Sequence, residues 1–206
     1  TKQVQKFQIM FMSMGEPFLN YSNLETAIKL LNKKHTNAQL LVSTIAPAKP
    51  DLLKRFISLS KEIDKIGLQF SIHRSSDKER NKLIPFRQKL TLRQIALYGT
   101  QWFKATGRKP YCNYCVDGKN NREQDFRRLV RLFNPLVFCF TFSVVCAKDE
   151  NMRDAAFRNL QIINDFRMKF VAKGYDTRTF DPAGQDDIGG GCGQLWYVQN
   201  YLRRAR

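Results

Sequence analysis

The sequence predicts an α/β fold with a parallel sheet, curled into a barrel or part of one. Short apolar runs alternate with amphipathic stretches five times along the chain. Glycine or proline punctuates most of the joints between them. The 206 residues are 43% apolar and 26% charged, enough to build one hydrophobic core in water. Repeated strand–helix alternation of this kind makes a parallel sheet, because each helix carries the chain back to the start of the next strand.

The elements follow in order. Lys6 to Met14 is a strand, its run Phe7-Gln8-Ile9-Met10-Phe11-Met12 stopped by Gly15-Glu16-Pro17. Asn23 can cap a helix from Leu24 to about Lys34 that turns Leu24, Ala27, Ile28, Leu30 and Leu31 inward. Gln39 to Thr44 is a second strand. Pro50 opens a helix to about Ile66, with Gly67 as its C-terminal cap. Leu68 to His73 is a third strand, and Leu90 to Ala105 a helix ended by Gly107. Pro110 to Val116 is a fourth strand before the turn Asp117-Gly118, and Arg122 to Phe133 a helix. Leu136 to Val145 is a fifth strand, Met152 to Lys173 a long helix stopped by Gly174, and Tyr175 to Phe180 a last short strand. No repeat or long linker marks a second domain. The expectation is one domain over 1–206, with a barrel part in 1–150 and a C-terminal helix, strand and Cys192 loop in 151–206.

Charge narrows the function. Lys and Arg number 35 against 18 Asp and Glu, a net charge of +17. Such a surface attracts polyanions, nucleic acid first among them. No apolar run approaches the roughly 18 residues of a membrane span, and no signal-peptide core follows Thr1. An odd count of five cysteines fits a reducing, cytoplasmic setting better than a disulfide framework.

In parallel sheets, chemistry gathers at the C-terminal ends of the strands. The residues there are Gly15-Glu16-Pro17, Ser43-Thr44, Ser71-Ile72-His73, Asp117 to Asn121, and Ser143 near Cys146. They are polar and would converge on one rim, either as a small-molecule site or as ordinary polar loops.

The same segments carry a resemblance. Met12-Ser13-Met14-Gly15-Glu16-Pro17-Phe18-Leu19-Asn20 resembles the "MGMGEPLLN" segment of the RlmN/Cfr family of radical-SAM RNA adenine methyltransferases. Val42-Ser43-Thr44 is similar to that family's "LST" strand end. Ser71-Ile72-His73, Asp77, Arg80 and Leu83-Ile84-Pro85 are similar to its "SLHA…D…R…L(V/M)P". Gly184-Gln185-Asp186-Asp187-Ile188 through Cys192-Gly193-Gln194-Leu195 resembles its "RGDDIDAACGQL". The resemblance covers almost the whole chain and corresponds to the C-terminal two-thirds of the family.

It implies a partial radical-SAM (TIM-type) barrel of about five βα units plus a C-terminal strand and short helix. Gly15, Glu16, Ser43, Ser71, Ile72 and His73 would bind S-adenosylmethionine, the Glu16 carboxylate facing its ammonium group. Cys192, between glycines, would be the methyl-carrying cysteine, and the substrate would be ribosomal or transfer RNA. Departures accompany these matches. The C-x3-C-x2-C motif that binds the family's 4Fe-4S cluster is absent, so a cluster would need ligands from a segment not in this chain. The second family cysteine is missing, the "EY" of the fourth strand reads Cys112-Asn113-Tyr114-Cys115, and Ser143-Val144-Val145-Cys146 replaces an Asn-Pro.

Cys112 and Cys115 have metal-ligand spacing. Inside a strand, however, residues three apart point to opposite faces, which favours packing cysteines and no metal site. Asp186-Asp187 reads as a loop-capping pair and His35 as solvated. Arg127, Arg128 and Arg131 on one helix, with Arg203 and Arg204 at the C-terminus, are the candidate phosphate contacts. Trp102, Trp196, Tyr197 and Tyr201 are expected mostly in the core. An apolar first strand needs cover, from an upstream segment, a partner chain or Thr1 to Lys6. Three readings follow: part of an RNA methyltransferase lacking its cluster-binding portion, a catalytically inactive homologue that binds RNA or ribosomes, or a small-molecule-binding scaffold.

Overall fold

The computed structural model describes residues 7–12, 15–145 and 152–180, with the backbone alone for 152–158. Six strands form one sheet: β1 (Phe7–Phe11), β2 (Ala38–Thr44), β3 (Ile66–Ser71), β4 (Tyr111–Val116), β5 (Cys139–Val144) and β6 (Thr177–Thr179). Between them run α1 (Tyr21–Lys34), α2 (Pro50–Glu62), α3 (Asp77–Leu83), α4 (Leu92–Thr106), α5 (Glu123–Leu132) and α6 (Met152–Val171). Every neighbouring pair is parallel and the spatial order is the chain order, β1 to β6. Five strand-to-helix steps and a terminal strand are what the sequence pattern predicts.

This order decides the architecture. Parallel crossovers are right-handed. When each step goes to the next strand in the same direction, all the connecting helices fall on one face. A sheet covered on one side and twisting steadily curls away from its helices, and the result is a curled half-barrel.

The two faces differ as that geometry requires. Side chains alternate along a strand, and one set enters the helix-covered core: Leu40, Val42, Ile66, Leu68, Phe70, Cys112, Tyr114, Val116, Phe140, Phe142 and Val144. Phe7, Ile9 and Phe11 of β1 pack on it half-buried. The opposite, inner face carries Ser43, Gln69, Ser71, Tyr111, Asn113, Cys115, Thr141, Ser143 and Arg178, in lateral register. Cys112 and Cys115 therefore lie on opposite faces, and Trp102 is fully buried, both as the sequence reading expected.

Gly99 lets α4 approach the sheet, since a Cβ there would stand 2.5 Å from a ring carbon of buried Phe138. Gly107 ends α4 at φ +71, a conformation that costs other residues strain.

Several local expectations are corrected. Helix α1 begins at Tyr21, not after Asn23, because the Pro17–Asn20 3-10 turn runs straight into it. Asn23 sits inside the helix and its side chain donates to Asn20 Oδ1 at 2.8 Å. Helix α2 stops at Glu62, and Ile66 and Gly67 belong to β3, where Gly67 lies opposite Leu41. Helix α3 was not expected at all. Strand β1 has β2 as its one neighbour in the described sheet, and Thr1 to Lys6, one of the covers proposed for it, lie outside the described residues.

Candidate functional site

The C-terminal ends of β1, β2 and β3 bring Glu16, Thr44, Ser43, Ser71 and His73 onto one rim, with Gly15 beside them at φ +82. Glu16 caps the 3-10 turn, its Oε1 accepting from the Phe18 amide at 3.0 Å. Thr44 Oγ1 donates to the same oxygen at 2.5 Å, and the Ile45 amide to Oε2 at 2.8 Å. The carboxylate is thus tied to the exit of β2 while remaining partly exposed. Burial raises its pKa above the ordinary carboxylate value, and the three hydrogen bonds pull it partly back. Each carboxylate oxygen can accept more than one proton donor, so the group keeps capacity for a cationic ligand.

On the inner face, Gln69 Nε2 donates to Ser43 Oγ at 3.2 Å, and Ser43 Oγ lies 3.5 Å from Ser71 Oγ. Ile72 turns into the core and is fully buried. Its side chain does not face the rim, and its backbone amide donates to Asn113 O at 3.1 Å.

His73 sits at φ +54, an unusual conformation for a residue with a β-carbon. The Cys115 amide donates to its Nδ1 at 3.3 Å, which assigns the proton of the neutral ring to Nε2. Its carbonyl accepts from Arg74 Nη1 at 2.8 Å and Asn120 Nδ2 at 3.0 Å. Burial first, then the nearby charges of Arg80 and Arg74, push its pKa from 6.5 down to about 4. Between those values the folded protein keeps the ring neutral while the unfolded chain protonates it. The unfolded state then binds more protons, and stability falls as pH drops from 6.5 toward about 4. His73→Asn keeps a residue tolerant of positive φ and removes the titration. Urea midpoints of the two proteins should diverge across that interval, the variant losing less. Glu16 titrates alike in both and cancels, so parallel curves would exclude a neutral buried His73.

Two residues that the sequence reading left without a role hold the rim together. Arg80, 1% exposed, donates from Nη1 to Leu90 O at 2.8 Å and from Nη2 to Ile45 O at 2.7 Å and Ser71 O at 3.2 Å. Asn120, 3% exposed, donates to the carbonyls of His73 and Cys115 and accepts the Asp117 amide at 3.0 Å. Tyr114 donates its hydroxyl to Asn120 O at 2.6 Å. The Arg74–Asp117 ion pair, 2.5 Å, closes the β3 and β4 exits against each other.

No group of three or more His, Cys, Asp or Glu able to hold a metal ion occurs among the described residues. Burial pushes the Cys112 thiol well up and the Cys139 thiol to about 11, so both are protonated at neutral pH. Arg127 and Arg131 are exposed on α5 and Arg128 is half-buried, and Arg127 pairs with Glu123 at 3.1 Å. Cys192, Arg203, Arg204 and the Gly184–Leu195 motif lie outside the described residues. No described helix is long and apolar enough to cross a membrane.

Comparison with known proteins gives this rim a context. No family model matches the chain. It is 27% identical over 197 residues to a probable dual-specificity RNA methyltransferase RlmN of Pseudothermotoga lettingae, covering 95% of this chain and 56% of the relative. A protein of the same description from Heliobacterium modesticaldum is 33% identical over 132 residues, 61% of this chain and 32% of its own. The Petrotoga mobilis protein of that description is 27% identical over 94% of this chain and 55% of its own length. A radical SAM methyltransferase from Sphaerobacter thermophilus superposes with a TM-score of 0.74 at 23% identity, over 94% of this chain and 55% of that one, which establishes the shared half-barrel fold. The chain spans about half the length of the curated relatives it matches. Over nearly its whole length, then, this chain is similar to proteins described as RlmN RNA methyltransferases, and it shares the fold of a radical SAM methyltransferase.

Proposed function

We propose that this chain forms the S-adenosylmethionine-binding half-barrel of a radical-SAM RNA adenine methyltransferase. The observation that carries the reading is the Glu16 carboxylate, held by Thr44, Ile45 and Phe18 at the joined exits of β1 and β2. In this reading Glu16 receives the ammonium group of the cofactor, Ser43 and Ser71 hydrogen-bond to it, and His73 offers a neutral ring with Nε2–H as donor. When bound, the cofactor supplies the methyl group. The described residues do not fit a four-iron cluster, since they bring no three potential ligand side chains together. The cluster belongs to a part of the protein outside them, and Cys192 is the proposed methyl carrier. The same misfit favours a second reading, a catalytically silent homologue that retains RNA binding. Anaerobic reconstitution of the 206-residue chain with iron and sulfide, followed by metal analysis, separates it from an autonomous enzyme. Near-stoichiometric cluster loading would contradict both readings.

RNA binding is the testable common ground. The +17 charge should make affinity for structured RNA fall linearly on a log–log plot against salt. The Arg127–Glu123 pair is exposed and worth little, so it does not withhold that side chain from phosphate. Replacing Arg127, Arg128 and Arg131 together should flatten the slope by roughly one to two units. An unchanged slope would remove α5 from the interface.

A further inference from the structure

The inner face of the half-barrel holds a cation that the proposed function does not use. The register places Ser71, Asn113, Thr141 and Arg178 in one row across β3, β4, β5 and β6, and Ser43, Gln69, Tyr111 and Cys139 in the row beneath. Arg178 reaches inward from β6. Its Nε donates to Thr141 Oγ1 at 2.9 Å and its Nη2 points to Gln69 Oε1 at 3.4 Å. The guanidinium lies over the Tyr111 ring at 4.0 Å from the centroid. Gln69 and Thr141 are each 2% exposed, so the arm is fixed by buried groups.

All of these partners are neutral. Among the described residues no carboxylate pairs with Arg178. Asp176, two residues earlier on the same chain, gives its Oδ2 to Lys109 Nζ at 2.7 Å instead. The Nη1 of Arg178 has no acceptor among the described residues. Next to it in the row, Asn113 Oδ1 accepts the Ser143 hydroxyl, which commits the amide to offering its Nδ2 hydrogens outward. The row thus presents a charged planar fork and an amide donor, with no negative charge of its own. Polar groups inside a sheet are costly unless partnered, and the partner such a row lacks is an oxyanion.

We propose that Arg178, stacked on Tyr111 and braced by Gln69 and Thr141, forms a phosphate-binding site on the inner face of the half-barrel. A phosphate suits it better than a lone carboxylate, because three oxygens can take the guanidinium fork and the neighbouring amide together. The site needs neither S-adenosylmethionine nor a cluster and goes beyond the function proposed above. It gives the interior a hold on the phosphate of a nucleotide, whereas the α5 arginines act from outside.

Calorimetry with adenosine 5′-monophosphate, adenosine and inorganic phosphate tests the site on the whole chain, wild type and Arg178→Gln. Arg178 is partly exposed, so the variant should fold, and a thermal melt verifies it. The monophosphate should bind the wild type at least about tenfold more tightly than adenosine, with Arg178→Gln removing most of that difference. Arg178→Lys should recover part of it, since it keeps the charge and loses the fork. If inorganic phosphate binds as well as the monophosphate, the site takes free phosphate. If the monophosphate is much tighter, it takes a nucleotide. Equal affinity for adenosine and its monophosphate, no binding of either phosphate, or wild-type affinity in Arg178→Gln would overturn the proposal. Each of these outcomes leaves the RNA salt slope as an independent measure of the α5 surface.

Discussion

Arg80→Met should destabilise the protein by about 3–5 kcal/mol in urea unfolding, the cost of leaving one buried and two part-buried carbonyls without this donor. The reasoning turns on which groups remain after the substitution. Swapping a whole buried ion pair for apolar groups can be harmless, because both partners go. Here the partners are the backbone carbonyls of Ile45, Ser71 and Leu90, buried or part-buried, and these remain when the guanidinium is removed. Methionine fills most of the volume, so the loss reports the missing donors rather than a cavity. The damage should also reach the rim, since the Ile45 amide holds Glu16 and the Ser71 hydroxyl faces Ser43. Arg80→Lys should lie between, with one donor group in place of a fork. A loss below about 1 kcal/mol in Arg80→Met would mean that these carbonyls find other donors.

Phe140→Ala should cost a similar amount, about 3–5 kcal/mol, by cavity formation. The ring is fully buried where β5 meets α6 and the Phe133 cap of α5. Its centroid lies 4.6 Å from Phe170, 5.4 Å from Tyr175, 5.8 Å from Phe142 and 6.0 Å from Phe133. Several of these contacts are edge-on or tilted, arrangements that interlock rings and resist collapse into the space left by one of them. Phe140→Leu should recover more than half of the loss by refilling volume. If both variants melt with the wild type, the aromatic cluster is not the core at this end of the sheet.

The fold was legible because its signals are local and repeated. The run at Phe7 to Phe11, the alternation in Tyr111 to Val116 and the glycines at 107 and 174 each mark an element boundary without reference to distant residues. Helix α3 escapes the sequence pattern although its start is written in Ser76 and Glu79: the Ser76 hydroxyl accepts the Glu79 amide at 3.4 Å and donates to the Glu79 carboxylate at 2.9 Å. Its seven residues, Asp77–Leu83, carry one apolar side chain, Leu83, so no apolar period marks the helix. Helix α2 was overrun because Ile63 and Ile66 continue its apolar spacing, while strand pairing with β2 claims Ile66 and Gly67. The rim was legible as a list of strand ends. Its bracing was not: Arg80 and Asn120 act through carbonyls far off in sequence, and no composition or spacing rule reveals which carbonyls a buried side chain will reach. Ile72 shows the converse limit, a motif residue whose side chain packs in the core and whose amide bonds to Asn113 O.

Equilibrium binding of S-adenosylmethionine to the 206-residue chain is the most direct test of the proposed site. Saturable binding is expected, weakened about tenfold or more by Glu16→Gln, which loses the charge that would meet the ammonium group. Ser43→Ala should weaken it less, and Arg178→Gln, three strands from Ser71 along the same row of the inner face, should leave it near the wild-type value. Absence of saturable binding, or equal affinity in wild type and Glu16→Gln, would contradict the assignment of this rim as the cofactor site.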